Sequence, residues 1–229
     1  MQRHFDQELS LLKQKLLTLA SHAEEAVSNS LKSLLERSDL QARTVIETDS
    51  LLDGMEVELD EMCISMLALR SPIASDLRLI TTAMKITHDL ERVGDEATTI
   101  ARHVIELNTE PQLKPYIDIS RMGLLALAML KDALDAFVHG DSLKARTIVP
   151  RDKQVDQIHK QLRKELVNSM IENSASITRA LNIMVISKSL ERVADHAANI
   201  AEEVVYLYES RDIRHSHDND ISAPASESL

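Results

Sequence analysis

The chain has 229 residues, a formal net charge of -11, 44% hydrophobic residues and only five aromatic residues, three Tyr and two Phe. This length and apolar content allow one large domain or two small ones with a buried core. With four Gly, five Pro and no Trp, the chain lacks the residues that sheets require, whereas helix formers such as Leu, Ala and Glu are abundant. No Lys/Arg cluster offsets the negative charge, so nucleic-acid binding is not expected.

Neither a membrane span nor a secretory leader is expected from the sequence. The longest apolar run, residues 124–130, is too short to cross a bilayer, and the N-terminal segment has no signal-peptide hydrophobic region. We therefore expect a cytoplasmic protein that is at most peripheral to membrane complexes. The single cysteine, Cys63, lies between Met62 and Ile64 without a His or second Cys at ligand spacing, which predicts a buried thiol.

Apolar residues recur at helical spacing, and short breaks divide the pattern into six predicted helices. The helices are predicted at residues 3–36, 39–70, 73–108, 116–139, 142–172 and 175–209. Pro150 is expected to break or kink the fifth helix near its beginning, because proline cannot donate a backbone hydrogen bond. Residues 210–229 contain few apolar residues and are predicted to form a disordered acidic tail, in which His215 and His217 are solvated.

The chain contains an internal repeat. Residues 84–104 and 184–204 are identical at 11 of 21 positions, at an offset of 100. A second similarity, at an offset of 103, aligns residues 42–45 with residues 145–148. Three antiparallel helices with short connections can close around one core, so we predict two homologous three-helix bundles. The first repeat is predicted at residues 1–110 and the second at 116–209.

Each repeat carries the motif Leu-Glu-Arg-Val-x-Asp, which contains Glu91 and Asp95 in the first copy and Glu191 and Asp195 in the second. Residues four apart lie on one face of a helix, where two like charges repel by roughly 0.2–0.5 kcal/mol unless a cation lies between them. On the helical wheel these carboxylates continue an apolar stripe through His88. A separate apolar stripe remains available to form the core.

Two interpretations of the motif are open. In one, Glu91 and Asp95 lie on a solvated face and form ion pairs with cations such as Arg92 or Arg102, which contribute little to stability. In the other, the carboxylates of both repeats bind hard cations, iron or manganese. The candidate metal ligands are Glu91, Asp95, Glu191 and Asp195, with Asp49, Asp53, Asp152 and Asp156 as weaker additions.

A carboxylate-bridged di-iron enzyme would be the natural catalytic alternative, since bundles of that class use Glu-x-x-His motifs on two helices. The chain has no Glu-x-x-His, and the Asp variant that ends at His159 is not enough for such a site. It also lacks a glycine-rich phosphate loop, a Gly-x-Ser-x-Gly motif and a Cys/His zinc pattern. We therefore do not expect an enzyme.

Three segments resemble the PhoU family, the accessory proteins of phosphate-specific ABC transport. They are Ser71-Pro-Ile-Ala-Ser-Asp-Leu-Arg-Leu-Ile80, Asp89-Leu-Glu-Arg-Val-Gly-Asp95 and Ser189-Leu-Glu-Arg-Val-Ala-Asp-His-Ala-Ala-Asn-Ile-Ala-Glu202. The resemblance covers residues 1 to about 209. It implies two three-helix bundles, a cytoplasmic homodimer and a negative regulator of the phosphate-starvation response.

The resemblance also implies partners and a metal. PhoU-like proteins are thought to connect a phosphate ABC transporter, through its ATPase subunit, to a sensor histidine kinase and to restrain signalling and uptake when phosphate is plentiful. Family members bind divalent or multinuclear metal (iron, zinc, manganese or magnesium) through Glu/Asp-x-x-x-Asp motifs. In this chain those motifs match Glu91 with Asp95 and Glu191 with Asp195.

Two other functions use the same features. A helical metal-storage or redox protein would use the same carboxylates but should load many ions or oxidise ferrous iron. A purely structural scaffold would leave the acidic stripes as solvated faces, and substitution of Glu91 and Asp95 would then change neither metal content nor regulation.

Overall fold

The computed structural model describes residues 2–213, and all regular secondary structure within them is helical. The α-helices are α1 Gln2–Glu36, α2 Asp39–Arg70, α3 Ala74–Asn108, α4 Ile117–His139, α5 Ser142–Ile148, α6 Asp152–Glu172 and α7 Ile177–Glu209. Single 3-10 turns occupy Val149–Arg151 and Ser174–Ser176. The all-α prediction is confirmed, and the predicted helix boundaries lie within two residues of those observed.

The helix ends follow from local chemistry. Ser38 caps α2 by accepting a hydrogen bond from the backbone N–H of Gln41 at 3.3 Å, and Asp141 caps α5 by accepting from Lys144 at 2.8 Å. Gly140 ends α4 in the left-handed conformation, with φ 68°. Pro150 divides the fifth predicted helix into α5 and α6, as its missing N–H requires.

α3 and α7 form the centre of the molecule. In the first repeat, α1 and α2 pack on α3. In the second repeat, α4, α5 and α6 pack on α7. The repeats also meet where α1 contacts α4. The second apolar stripe of each central helix forms the core, with twelve side chains at 0% exposure. They are Ile86, Leu90, Val93, Ala97, Ile100, Val104, Ile186, Leu190, Val193, Ala197, Ile200 and Val204.

Polar contacts between α3 and α7 show that these helices are antiparallel. Lys85 Nζ lies 3.0 Å from Glu203 Oε1, and Arg192 Nη1 lies 3.0 Å from Glu96 Oε1. Early residues of α3 therefore face late residues of α7. The N-terminal ends of the two central helices point to opposite ends of the molecule.

Cys63 is buried, at 1% exposure, and burial raises the pKa of its thiol to about 12. The prediction of a core thiol is therefore confirmed. The predicted tail overlaps the described part of the chain only at residues 210–213, where Ile213 is 2% exposed. His215 and His217 lie outside the described residues. Within residues 2–213, no helix is long and apolar enough to span a membrane.

Candidate metal centre

Two helices bring the acidic residues of the first repeat together. Asp49 and Asp53 are four residues apart on α2, and the Oγ1 of Thr98 on α3 donates a hydrogen bond to Asp49 Oδ1 at 3.0 Å. Burial raises the pKa of Asp49, the Thr98 hydrogen bond opposes that rise, and the charges of Asp53 and Asp95 add to it. Three of the predicted ligands thus lie within electrostatic reach of one another.

Glu91 is largely enclosed, with 13% of its side chain exposed. Burial raises its pKa, and the charge of Asp95 raises it further. Arg92 places Nε 3.3 Å from Glu91 Oε2 and donates from Nη1 to Asp95 Oδ2 at 3.0 Å. Arg92 therefore forms the ion pairs expected in the first interpretation, whereas Glu91 does not lie on a solvated face. Within the described residues, however, Glu91 Oε2 is buried and has no hydrogen-bond partner.

Glu56 and His88 complete a group that sequence reasoning missed. Glu56, His88 and Glu91 each offer one ligand atom, and these atoms lie within 4.8 Å of one another. His88 Nδ1 is 3.3 Å from Glu56 Oε1. Both residues line a groove of about 540 Å³ that is open to solvent, which gives a cation a route of entry. Glu56 lies seven residues after Asp49 and therefore on the same face of α2. This spacing could have identified Glu56 as a candidate ligand from the sequence.

The second repeat also brings its predicted ligands together. Asp152 and Asp156 lie in the first turns of α6, beside Glu191 and Asp195 of α7. Burial raises the pKa of Asp152 to about 7, and Asp195, Asp156 and Glu191 contribute to that rise. Its Oδ1 atom is buried without a hydrogen-bond partner among the described residues. Burial and Glu191 likewise raise the pKa of Asp195.

Cations contact this second cluster directly. Lys188 forms an ion pair with Glu191, whose overall exposure is 8%. Lys160 Nζ donates to Asp156 Oδ2 at 2.8 Å, and this hydrogen bond is the main reason that the pKa of Asp156 is lowered. Arg192, the counterpart of Arg92, extends to Glu96 of the first repeat instead.

The donor set of Glu56, His88 and Glu91 fits a divalent cation. Carboxylate oxygens with one imidazole suit manganese, iron or zinc, whereas magnesium prefers oxygen ligands alone. Each cluster contains a buried oxygen atom, on Glu91 or Asp152, whose hydrogen-bonding capacity a cation would satisfy. All eight predicted ligands lie in one or the other cluster, and their role as ligands stays a prediction.

Comparison with known proteins places both repeats in one family. The model of the PhoU domain matches residues 16–104 and 119–204. The chain belongs to the PhoU family. The two matched segments fit the internal repeat, one in each copy.

Relatives match over nearly the whole chain. A phosphate-specific transport system accessory protein PhoU homolog from Pseudomonas putida is 40% identical over 214 residues, which cover 93% of this chain and 84% of the relative. The crystal structure of PhoU from Pseudomonas aeruginosa superposes with a TM-score of 0.88 at 39% identity, covering 90% of this chain and 100% of that one. The phosphate transport system regulatory protein PhoU from Streptococcus pneumoniae gives a TM-score of 0.85 at 35% identity, covering 91% and 98%.

These names describe accessory and regulatory proteins, and the expectation that the chain is not an enzyme is confirmed on that ground. The predicted fold of two homologous helical bundles is also confirmed.

Proposed function

We propose that this protein is a negative regulator of the phosphate-starvation response and of phosphate uptake. As a PhoU accessory protein it acts in the regulation of phosphate transport. We further propose that it is a cytoplasmic adaptor that contacts the ATPase subunit of a phosphate ABC transporter and a sensor histidine kinase. The observation that carries the proposal is the PhoU match in both repeats, together with relatives that cover more than nine-tenths of the chain.

An adaptor of this kind needs no chemistry of its own. It changes the signalling state of the kinase by binding one state of a partner more tightly than the other. The two repeats provide two similar groups of helices, one packed on α3 and one packed on α7, so one chain can contact two partners at once. The homodimer implied by the family is part of the proposal, and the molecular mass in solution tests it.

We also propose that divalent metal binds the carboxylate clusters. Two observations support this proposal: the grouping of Glu56, His88 and Glu91, and the buried oxygens of Glu91 and Asp152 that accept no hydrogen bond among the described residues. A bound cation would hold α2 against α3, or α6 against α7, by joining carboxylates that otherwise repel. The metal would thereby stabilise the surface that each repeat presents to its partner.

The experiment is a deletion strain with a phosphate-starvation reporter, grown in high phosphate. Deletion should raise the reporter, and the wild-type gene should restore repression. The pairs Glu91→Gln with Asp95→Asn and Glu191→Gln with Asp195→Asn are then compared with Glu61→Gln, an exposed α2 carboxylate outside both clusters. A reporter that is unchanged on deletion would overturn the regulatory function. Cluster variants that repress like Glu61→Gln would remove metal binding from the mechanism.

The metal-storage or redox alternative makes a different prediction. The presence of His88 beside two carboxylates is the observation that favours it, because imidazole and carboxylate together suit iron. Such a protein should oxidise ferrous iron with turnover or load many ions per chain. An adaptor should bind few ions and show no turnover. Anaerobic addition of ferrous iron followed by oxygen would distinguish the adaptor from a storage or redox protein.

A further inference from the structure

The two repeats differ at positions beside the motif glutamate that both of them share. The offsets of 103 for α2 with α6 and 100 for α3 with α7 align three pairs of residues. The pairs are Glu56 with His159, His88 with Lys188, and Glu91 with Glu191. A potential imidazole ligand in the first repeat is thus replaced by an ammonium group in the second.

The ammonium group of Lys188 supplies a positive charge beside the carboxylates of the second cluster, where a metal ion would otherwise bind. It forms an ion pair with Glu191, the most buried carboxylate of the second cluster. Burial raises the pKa of Asp195, Glu191 adds to that rise, and the positive charge of Lys188 opposes it. Lys188 therefore interacts with at least two of the four carboxylates.

The first cluster lacks such a group at the same position. His88 stands there, and its Nδ1 faces Glu56. Arg92 forms ion pairs with Glu91 and Asp95 from a different position on the helix, and its side chain is about as exposed as that of Lys188. Among the described residues, Glu56, His88 and Glu91 are the one group of three potential ligands close enough to share an ion.

We propose that Lys188 is a tethered counter-cation that keeps divalent metal out of the second cluster, so that the tight metal site of this chain is Glu56, His88 and Glu91 in the first repeat. This inference rests on the metal binding proposed above and restricts it to one repeat. The imidazole makes the site selective for manganese, iron or zinc over magnesium and calcium.

The test uses the full chain after removal of metal by a chelator and dialysis. Manganese is titrated into the protein, and the free ion is measured by electron paramagnetic resonance. Wild type should bind one ion tightly, and His88→Lys should lose that site. Lys188→Gln should gain a second site, strengthened by about tenfold or more, because it removes a positive charge in contact with the cluster. Lys188→Arg retains the charge and should gain nothing.

Lys131→Gln is the matched control, since it removes one positive charge from an exposed position on α4. Lys188→His places at this position the imidazole that His88 provides in the first repeat, and this variant should also gain a metal site. It serves as a second test if Lys188→Gln does not fold. A tight wild-type site with no gain in Lys188→Gln or Lys188→His would overturn this inference alone. Binding in no variant would overturn it together with the proposed metal binding, whereas the regulatory function is judged separately by the reporter.

Discussion

Gly94 of α3 lies directly against Leu52 of α2, so that a Cβ atom on Gly94 would be 2.6 Å from Leu52 Cδ1. Leu52 is 3% exposed, and its Cδ1 would have to move to make room for that Cβ atom. The equivalent positions in the second repeat hold Ala194 and Val155, both fully buried. There the additional methyl group on the central helix is matched by a shorter side chain on its neighbour. The two repeats keep a similar combined volume, which is divided more evenly between the two helices in the second repeat.

We expect Gly94→Ala to lower the free energy of unfolding by about 1 kcal/mol. Overpacking costs roughly 1–3 kcal/mol and outweighs the gain of about 1 kcal/mol in helix propensity. Adding Leu52→Val should recover the loss, because it reproduces the Val and Ala combination of the second repeat. Urea unfolding of both single variants and the double variant gives the interaction energy. Additive effects of the two substitutions would contradict this packing argument.

Arg146 and Glu209 form a buried ion pair that joins α5 to the end of α7. The pair has two hydrogen bonds, from Nη2 to Oε2 at 2.6 Å and from Nε to Oε1 at 3.2 Å. The side chains are 6% and 10% exposed. Because removal of one partner leaves a buried charge uncompensated, Arg146→Met should lower the free energy of unfolding by about 3 kcal/mol.

Arg43 provides the control for this prediction. It occupies the position equivalent to Arg146 in the first repeat but is exposed, so Arg43→Met should change stability by less than about 0.5 kcal/mol. The hydrogen bond from Arg146 lowers the pKa of Glu209. The stability that the pair contributes is therefore present above the unfolded pKa of a glutamate and is lost as pH falls through the lowered value. Equal losses in the two arginine variants would show that burial of the pair is unimportant.

The sequence predicted the parts of the fold that depend on local chemistry and periodicity. The apolar stripe through Leu90 and Val93 identified the core of α3, and its copy identified the core of α7. Pro150 marked the break in the fifth predicted helix, because a missing backbone donor acts within one turn.

The parts that could not be predicted depend on how helices face each other. Arg92 and Arg192 lie in identical motifs but bind different partners. Arg192 contacts Glu96 across the α3–α7 interface, whereas the residue equivalent to Glu96 is His196, which contacts Asp89 at 2.8 Å. Equal spacing along two helices therefore did not give equal ion pairs. Glu56 was missed for the same reason, since its contact with His88 depends on the register of α2 on α3.

The raised pKa of Asp152 predicts a pH-dependent stability. Folding raises this pKa from its ordinary value of 3.8 to about 7, chiefly through burial and then through Asp195. The folded state thus binds a proton that the unfolded state has released, so the stabilisation is complete below 3.8 and is lost as pH rises through about 7. Asp152→Asn has no charge to bury. In chelator-treated protein it should match wild type near the acid limit and exceed it by on the order of 2 kcal/mol at about pH 8.

Asp156 is the control because its pKa changes in the opposite direction. The hydrogen bond from Lys160 lowers it, so the ionised form stabilises the folded state above the ordinary aspartate value. Asp156→Asn should therefore reduce the melting temperature at about pH 8, where Asp152→Asn increases it. Thermal unfolding of wild type and both variants across the pH range measures the difference. If Asp152→Asn increased stability equally at every pH, the effect would be due to packing. A charge that is costly to bury instead produces a gain in stability that grows between about pH 4 and pH 7.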